Sequence, residues 1–213
     1  MPHRTAIPRP SLARLPIYYR RLLRHLEQGE GIISSQELGT AAGVPAAQVR
    51  KDLSHLGELG RAGVGYETRE LALTLEDFMG LAHTKIAVLV GVGNLGRALA
   101  AYAGFERYGL HIVALFDHDP EKVGKQIAGK PVFGTDQIAE RVQSLGAEMG
   151  IITVPAVGAQ DVADEMVNAG IDVIWNFAPR ALIVPDHVIL ENEDLAARLA
   201  TISYHVVLRR LET

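Results

Sequence analysis

The run Lys85-Ile86-Ala87-Val88-Leu89-Val90 passes directly into Gly91-Val92-Gly93-Asn94-Leu95-Gly96, and no other stretch of the chain constrains its fold so tightly. An unbroken apolar run bounded by glycine reads as a strand buried on both faces. The next residues, Arg97-Ala98-Leu99-Ala100, read as the opening of a helix. A lone G-x-G-x-x-G carries little weight, but this one stands between a strand and a helix, the context that its mechanism needs. There Gly91 makes the tight turn, Gly93 lets a pyrophosphate approach the backbone, and Gly96 lets the helix pack closely on the sheet. Free N–H groups and the helix dipole favour negative charge at the helix start. Val92, Asn94 and Leu95 therefore join the three glycines as candidate cofactor-binding residues.

The remainder of the C-terminal part keeps this rhythm. Short apolar runs at 86–90, 112–116, 150–154, 173–175 and 188–190 read as strands, with helical spacing at about 95–103, 136–144 and 159–169. Such alternation is the pattern of an α/β Rossmann fold, a doubly wound parallel sheet covered on both faces. Asp117 ends the second strand 21 residues after Gly96, where an acid accepts hydrogen bonds from an adenosine ribose. A carboxylate there opposes a 2′-phosphate, so NAD(H) is favoured over NADP(H). Two alternatives stay open: Asp117 or Asp119 caps the turn before Pro120, or CoA or another nucleotide occupies the fold.

The N-terminal part has a different pattern. Leu15, Tyr18 or Tyr19, Leu22 and Leu26 fall on one helical stripe. Ser34-Ser35-Gln36-Glu37 reads as a capping box that starts a short helix, and Gly43 closes it in the left-handed conformation. Pro45 then opens a second helix over 46–55, a helix-turn-helix spacing. Val49, Leu53 and Leu56 should pack inward, leaving Ala46, Ala47, Gln48, Arg50, Lys51 and Ser54 exposed as candidate DNA-binding residues. Alanine permits close approach, Gln and Arg can pair with base edges, and Lys neutralises phosphate. An ordinary helical hairpin with a solvated charged face would look similar. Gly57, Gly60, Gly63 and Gly65 suit the hairpin wing of a winged helix, with Arg61 placed to reach the DNA backbone or minor groove. The same glycines would also suit a flexible linker.

Charge divides along the same line. Residues 1–62 hold nine Lys/Arg against five Asp/Glu, so with a formal net charge of -4 overall the remainder carries -8. An anion-binding module joined to an acidic one would show this asymmetry, though chance scatter of surface charge can also produce it. Cysteine is absent, so any response to redox state must come through a bound molecule. The N-terminal stretch has no apolar run of signal-peptide length, and no segment approaches the roughly 18 apolar residues of a membrane span. A cytoplasmic location without membrane contact is expected.

Taken together, Gln48-Val49-Arg50-Lys51-Asp52-Leu53-Ser54, the glycines up to Gly65-Tyr66, and the loop from Gly91 to Gly96 resemble the redox-sensing repressor family called Rex. Thr153-Val154-Pro155 and Asn176-Phe177-Ala178-Pro179 extend the resemblance, which covers about 12–204. It implies a homodimeric transcriptional repressor that binds a pseudo-palindromic operator and is released when NADH binds, NAD+ binding more weakly and permitting repression. It implies a C-terminal helix, with Leu195, Leu199, Ile202 and Val206 on one stripe, swapped between the partner's two domains. Asp194 would then pair with Arg20 of the partner subunit, near Tyr102. Leu56, Leu59 and Ala47 depart from the family pattern, which leaves operator detail open. Packing of that helix on its own domain is the alternative.

The expected organisation is a winged-helix domain over 1–82, an NAD(H)-binding domain over 83–192 and a dimerisation helix over 193–213. Candidate nicotinamide contacts are Thr153, Pro155, Asn176 and Phe177, at strand carboxyl ends where such ligands sit. An enzyme is not expected. Roughly 130 residues suffice only for the dinucleotide fold, with no Tyr-x-x-x-Lys pair, metal-ligand cluster or nucleophile beside a base, and His111, His118 and His187 read as surface residues. A nucleotide-binding protein that never touches DNA is a third possibility.

Overall fold

The computed structural model describes residues 7–61 and 63–211. The chain divides into two compact units at His83/Thr84.

In the first unit α1 (Arg9–Glu27) leads to β1 (Ile32–Ile33), α2 (Ser35–Ala42) and α3 (Ala46–Leu53), then to β2 (Tyr66–Glu67) and α4 (Thr68–Phe78). The capping box of α2 is complete: Ser34 Oγ accepts the Glu37 N–H, and Glu37 accepts the Ser34 N–H at 2.9 Å. Gly43 closes α2 with φ +67°, which a left-handed C-terminal residue requires. Pro45 stands just before α3 as its N-cap. That helix gives way after Leu53 to a single 3-10 turn, Ser54–Leu56, so Leu56 is only half-buried. Leu15, Tyr18 and Leu22 of α1 are buried, as are Leu38, Val49, Leu53, Leu71 and Leu75 from the other helices. Side chains of this size contribute about 1.5–3 kcal/mol each when fully buried. The wing is shorter than a regular hairpin. Arg61 bridges Gly65, while β2 pairs antiparallel with β1 through Ile32↔Glu67 and Ile33↔Tyr66.

The second unit is built on β3 (Lys85–Val90), α5 (Asn94–Ala100), β4 (Leu110–Asp117), β5 (Gln126–Ile127), β6 (Lys130–Gly134), α6 (Ile138–Leu145), β7 (Met149–Ile152), α7 (Ala159–Asn168), β8 (Val173–Asn176) and β9 (Ile189–Asn192). The sheet order is β5-β6-β4-β3-β7-β8-β9, parallel throughout except for the short β5. Leaving aside β5, the chain adds strands outward from β3 on one side, then returns to the other. This is the doubly wound Rossmann order, and its reversal beside β3 opens a crevice at the strand carboxyl ends. Alternate side chains of β3 supply two cores. Val88 and Val90 pack with Phe116, Ile138, Ala163 and Met166, whereas Ala87 and Leu89 pack with Ala100, Ile112 and Ile151. A strand at 130–134 was not expected from the sequence, because Pro131 and the flanking glycines mask it. The first Rossmann helix also stops at Ala100, short of 103, and a 3-10 segment follows from Ala103 to Tyr108.

Beyond the sheet comes α8 (Leu195–Leu211). Its stripe lies open, with Leu195, Leu199, Ile202 and Val206 exposed by 61%, 62%, 57% and 46%.

Candidate functional site

The glycine loop is held by its neighbours rather than by its own sequence. Gly91 sits at φ +100°, and a Cβ there would meet the backbone of Thr153. A Cβ on Gly96 would meet the carbonyl oxygen of Gly91. Thr153 locks the arrangement, its hydroxyl donating to Gly91 O at 2.6 Å. Gly93 differs from both: a Cβ there meets nothing within 4 Å. The loop thus has a filled side toward the sheet and an open side at the start of α5. The first N–H groups of a helix have no partner within it, so Asn94, Leu95 and Gly96 supply donors next to that space. Val92 is buried and turned into the core.

Asp117 closes β4 and is only 3% exposed. Its Oδ2 accepts the Val92 N–H at 2.7 Å and the Lys122 ammonium at 3.0 Å, and its Oδ1 accepts the Asp119 N–H at 3.0 Å. Burial pushes the carboxyl up, but the Asp119 N–H, Lys122 and the Val92 N–H together outweigh it and hold it below the usual range. Of the two roles weighed for Asp117, the turn cap is present. The ribose role stays compatible with it, because a carboxylate offers about four acceptor positions and Oδ1 has one short donor.

Beyond Asp117 lies a cleft of about 370 Å³ bordered by Pro120, Gly134, Thr135 and Gln137. The sequence reading missed the last three, which follow from β6. A glycine ending a short Val-Phe run was the available signal.

At the other end of the crevice the backbone is stitched across strands. Thr153 N donates to Val90 O at 2.9 Å and Phe177 N to Ile152 O at 2.8 Å. Asn176, 1% exposed, turns its side chain inward. It donates to Arg180 O and Asn192 Oδ1 and accepts the Ala178 N–H, fixing the turn after β8. Phe177 packs on Trp175 with ring centroids 4.8 Å apart and planes tilted by 50°, and Trp175 in turn meets Phe105 edge to face. Pro155 is exposed at the start of the connection to α7. The side chains of Thr153 and Asn176 thus brace the backbone at the strand ends, while Pro155 is exposed and Phe177 is half-buried against Trp175.

In the first unit, a groove of about 590 Å³ is lined by Ser35, Gln36, Ala46, Arg50 and the wing residues Gly60 and Arg61. Arg50 is exposed and donates to Ser35 Oγ at 3.3 Å. Ala47, Lys51 and Ser54 are exposed on α3 and in the turn after it, outside that groove, with Ser54 Oγ donating to Lys51 O. Gln48 is half-buried and bonded to Asp52 at 2.9 Å. Asp52, which the sequence reading passed over, is 0% exposed.

Two family models match the chain, a CoA binding domain over 82–180 and a DNA-binding protein N-terminus over 6–54. The redox-sensing transcriptional repressor Rex of Carboxydothermus hydrogenoformans is 44% identical over 200 residues, covering 94% of this chain and 96% of that protein. The chain belongs to the Rex family of redox-sensing transcriptional repressors. Two solved structures of the Rex-family repressor RSP match it along nearly its whole length. RSP in complex with β-NAD+ and operator DNA has a TM-score of 0.90 at 38% identity, covering 97% of this chain and 95% of RSP. RSP in complex with β-NADH has a TM-score of 0.87 at 37% identity, covering 97% of each. Rex proteins are repressors and not enzymes, although their nucleotide-binding fold is shared with dehydrogenases. Among the described residues, no helix is long and apolar enough to cross a membrane.

Proposed function

We propose that this Rex chain works in the cytoplasm as a homodimer, holds a pseudo-palindromic operator while NADH is scarce, and lets go when NADH binds. The carrying observation is the glycine loop at the reversal point of the sheet, filled toward Thr153 and open at Gly93. The residues fit a dinucleotide. Gly93 and Gly96, with the backbone of Asn94 and Leu95, would hold the pyrophosphate, while Gly91 shapes the turn and Val92, whose N–H is engaged by Asp117, braces the loop from behind. Asp117 would accept from the adenosine ribose, with the adenine over the cleft at Gly134 and Thr135. CoA shares the adenosine and diphosphate chemistry, and the apolar rim at Pro155 and Phe177 is what favours a nicotinamide.

Both oxidation states share the adenosine and pyrophosphate contacts, so those contacts supply affinity without discrimination. The oxidised nicotinamide is a cation and the reduced one is neutral. A rim whose nearby polar side chains are already engaged disfavours the cation, so NADH binds tighter than NAD+. On the DNA side, α3 would enter the major groove with Ala46, Ala47, Gln48, Arg50, Lys51 and Ser54, and Arg61 would contact the backbone or minor groove. The open stripe on α8 supports a dimerisation helix over 193–213, between whose protomers Asp194 would pair with Arg20 of the partner subunit. The domain organisation we adopt is 1–82 for DNA and 83–192 for NAD(H).

Release requires that NADH prefer the dimer state in which the recognition helices no longer match two half-sites. Moving from 99% competent to 99% incompetent takes about 5.5 kcal/mol of differential binding, within reach when two sites act together. Linkage makes the effect reciprocal: operator must weaken NADH by the factor with which NADH weakens operator. Fluorescence titration of NADH with and without operator tests this. A lower affinity in the presence of operator is expected, and equal affinities in the two titrations would refute the coupling.

A further inference from the structure

On α3, Gln48 and Asp52 stand one turn apart, and Asp52 is the only fully buried acid of the helix. Both of its oxygens carry two donors. Oδ1 accepts Arg14 Nη2 at 2.7 Å and Gln48 Nε2 at 2.9 Å, while Oδ2 accepts Arg14 Nε at 2.6 Å and Tyr18 Oη at 2.7 Å. Arg14 and Tyr18 belong to α1, so the carboxylate ties the recognition helix to the body of the unit.

An ionised carboxylate is an acceptor only, whereas a glutamine amide has one acceptor end and one donor end. The end of Gln48 that faces Asp52 must therefore be the NH2 group. Reversing the amide would set Oε1 against Oδ1 with no proton between them. The buried salt bridge from Arg14 keeps the carboxylate charged, and its low protonation tendency agrees with the geometry. Gln48 is half-buried, and one edge of its amide is not taken up by Asp52. That edge offers Oε1 as acceptor and the second N–H as donor, in one fixed order.

We infer that Asp52, which does not itself reach DNA, is a positioning residue that sets base preference by orienting the Gln48 amide toward adenine. Adenine presents N6–H as donor beside N7 as acceptor in the major groove, the complement of this edge; guanine presents two acceptors. The inference rests on α3 being the DNA-reading helix.

The test is selection and sequencing of palindromic duplexes randomised over the half-site, using the full-length protein. Wild type is expected to prefer adenine at one position of each half-site by roughly tenfold or more. Gln48→Ala should flatten that position alone. Gln48→Glu keeps an acceptor but loses the donor, and should move the preference toward cytosine, whose N4–H donates. Gln48→Ala leaves the Arg14–Asp52–Tyr18 bonds in place, whereas Gln48→Glu sets a second carboxylate beside Asp52, so Gln48→Ala is the variant that reads base preference even if Asp52→Asn folds poorly. Where Asp52→Asn folds, it should relax adenine against guanine at the same position, since an asparagine amide can face Gln48 either way. Unchanged base preferences in Gln48→Ala and Gln48→Glu would overturn the inference while leaving DNA binding by α3 intact. A wild-type protein that selects no duplex would overturn the DNA-reading role of α3, and this inference with it.

Discussion

Substituting alanine at two glycines of one loop separates a fold requirement from a ligand requirement. At Gly93 the backbone has φ -81° and ψ -164°, which any residue adopts, and an added Cβ meets nothing within 4 Å. Gly93→Ala should leave stability unchanged or raise it by about 0.4–1 kcal/mol, through the lost freedom of the unfolded chain. The methyl group would stand in the space we assign to the pyrophosphate, however. Displacing one phosphate from one backbone donor forfeits a charge-assisted hydrogen bond of about 1.5–3 kcal/mol, roughly ten- to hundredfold in Kd for NADH. At Gly96 the outcome reverses in kind. The new Cβ would meet the Gly91 carbonyl oxygen and lie 2.9 Å from Thr153 Oγ1, and the backbone of Gly91 cannot easily yield. Overpacking of this sort costs about 1–3 kcal/mol in the protein without ligand. Urea unfolding and NADH fluorescence titration on the two variants give the four numbers needed. The reasoning is refuted if Gly93→Ala binds NADH as wild type does, or if Gly96→Ala unfolds at the wild-type urea concentration.

Three further outcomes follow from the same geometry. For Asp52, burial raises the carboxyl, but hydrogen bonds from Arg14, Tyr18 and Gln48 outweigh it and hold it far below the usual range. Its stabilising effect is thus present above the unfolded value of about 3.9 and is lost as pH falls through the folded value. Asp52→Asn should flatten the acid limb of the stability curve, and acid limbs that stay parallel would contradict this. Asn176→Ala removes the side-chain bonds that hold the turn after β8 and tie it to Asn192, and should cost about 1–3 kcal/mol in urea unfolding, with weaker discrimination between NADH and NAD+; wild-type values for both quantities would contradict it. Deleting residues 195–213 should abolish self-association in sedimentation without lowering stability much, since the described residues of α8 are exposed; a truncated chain that remains a DNA-binding dimer would exclude the swap.

The strongest local signals were those whose physics is local. The buried run of β3, the capping box at Ser34 and the turn at Gly43 depend on a few adjacent residues, and the structure has all three. The order of strands also follows from a strand-helix alternation that permits few topologies. What the sequence hid depends on distant partners. β6 is five residues long with a proline inside, and it is stabilised by pairing with β4 through Leu115↔Val132 and Phe116↔Phe133. The cleft beside Asp117 was hidden with it. The role of Asp52 has no local signal in the sequence, because its partner Arg14 lies 38 residues away. Thr153 and Asn176 stand out in sequence only by their place in motifs, whereas in the fold their side chains turn toward backbone carbonyls and the neighbouring turn.

The chain holds one tryptophan, Trp175, and the fold sets it on β8 against Phe177, at the rim assigned to the nicotinamide. Indole emission overlaps the absorption band that a nicotinamide has when reduced and lacks when oxidised. Excitation of the unlabelled protein should therefore pass energy to one redox form of its ligand and not to the other. The repressor would then report optically the ratio that it senses, and its occupancy could be followed in a cell extract without a dye or a reporter gene.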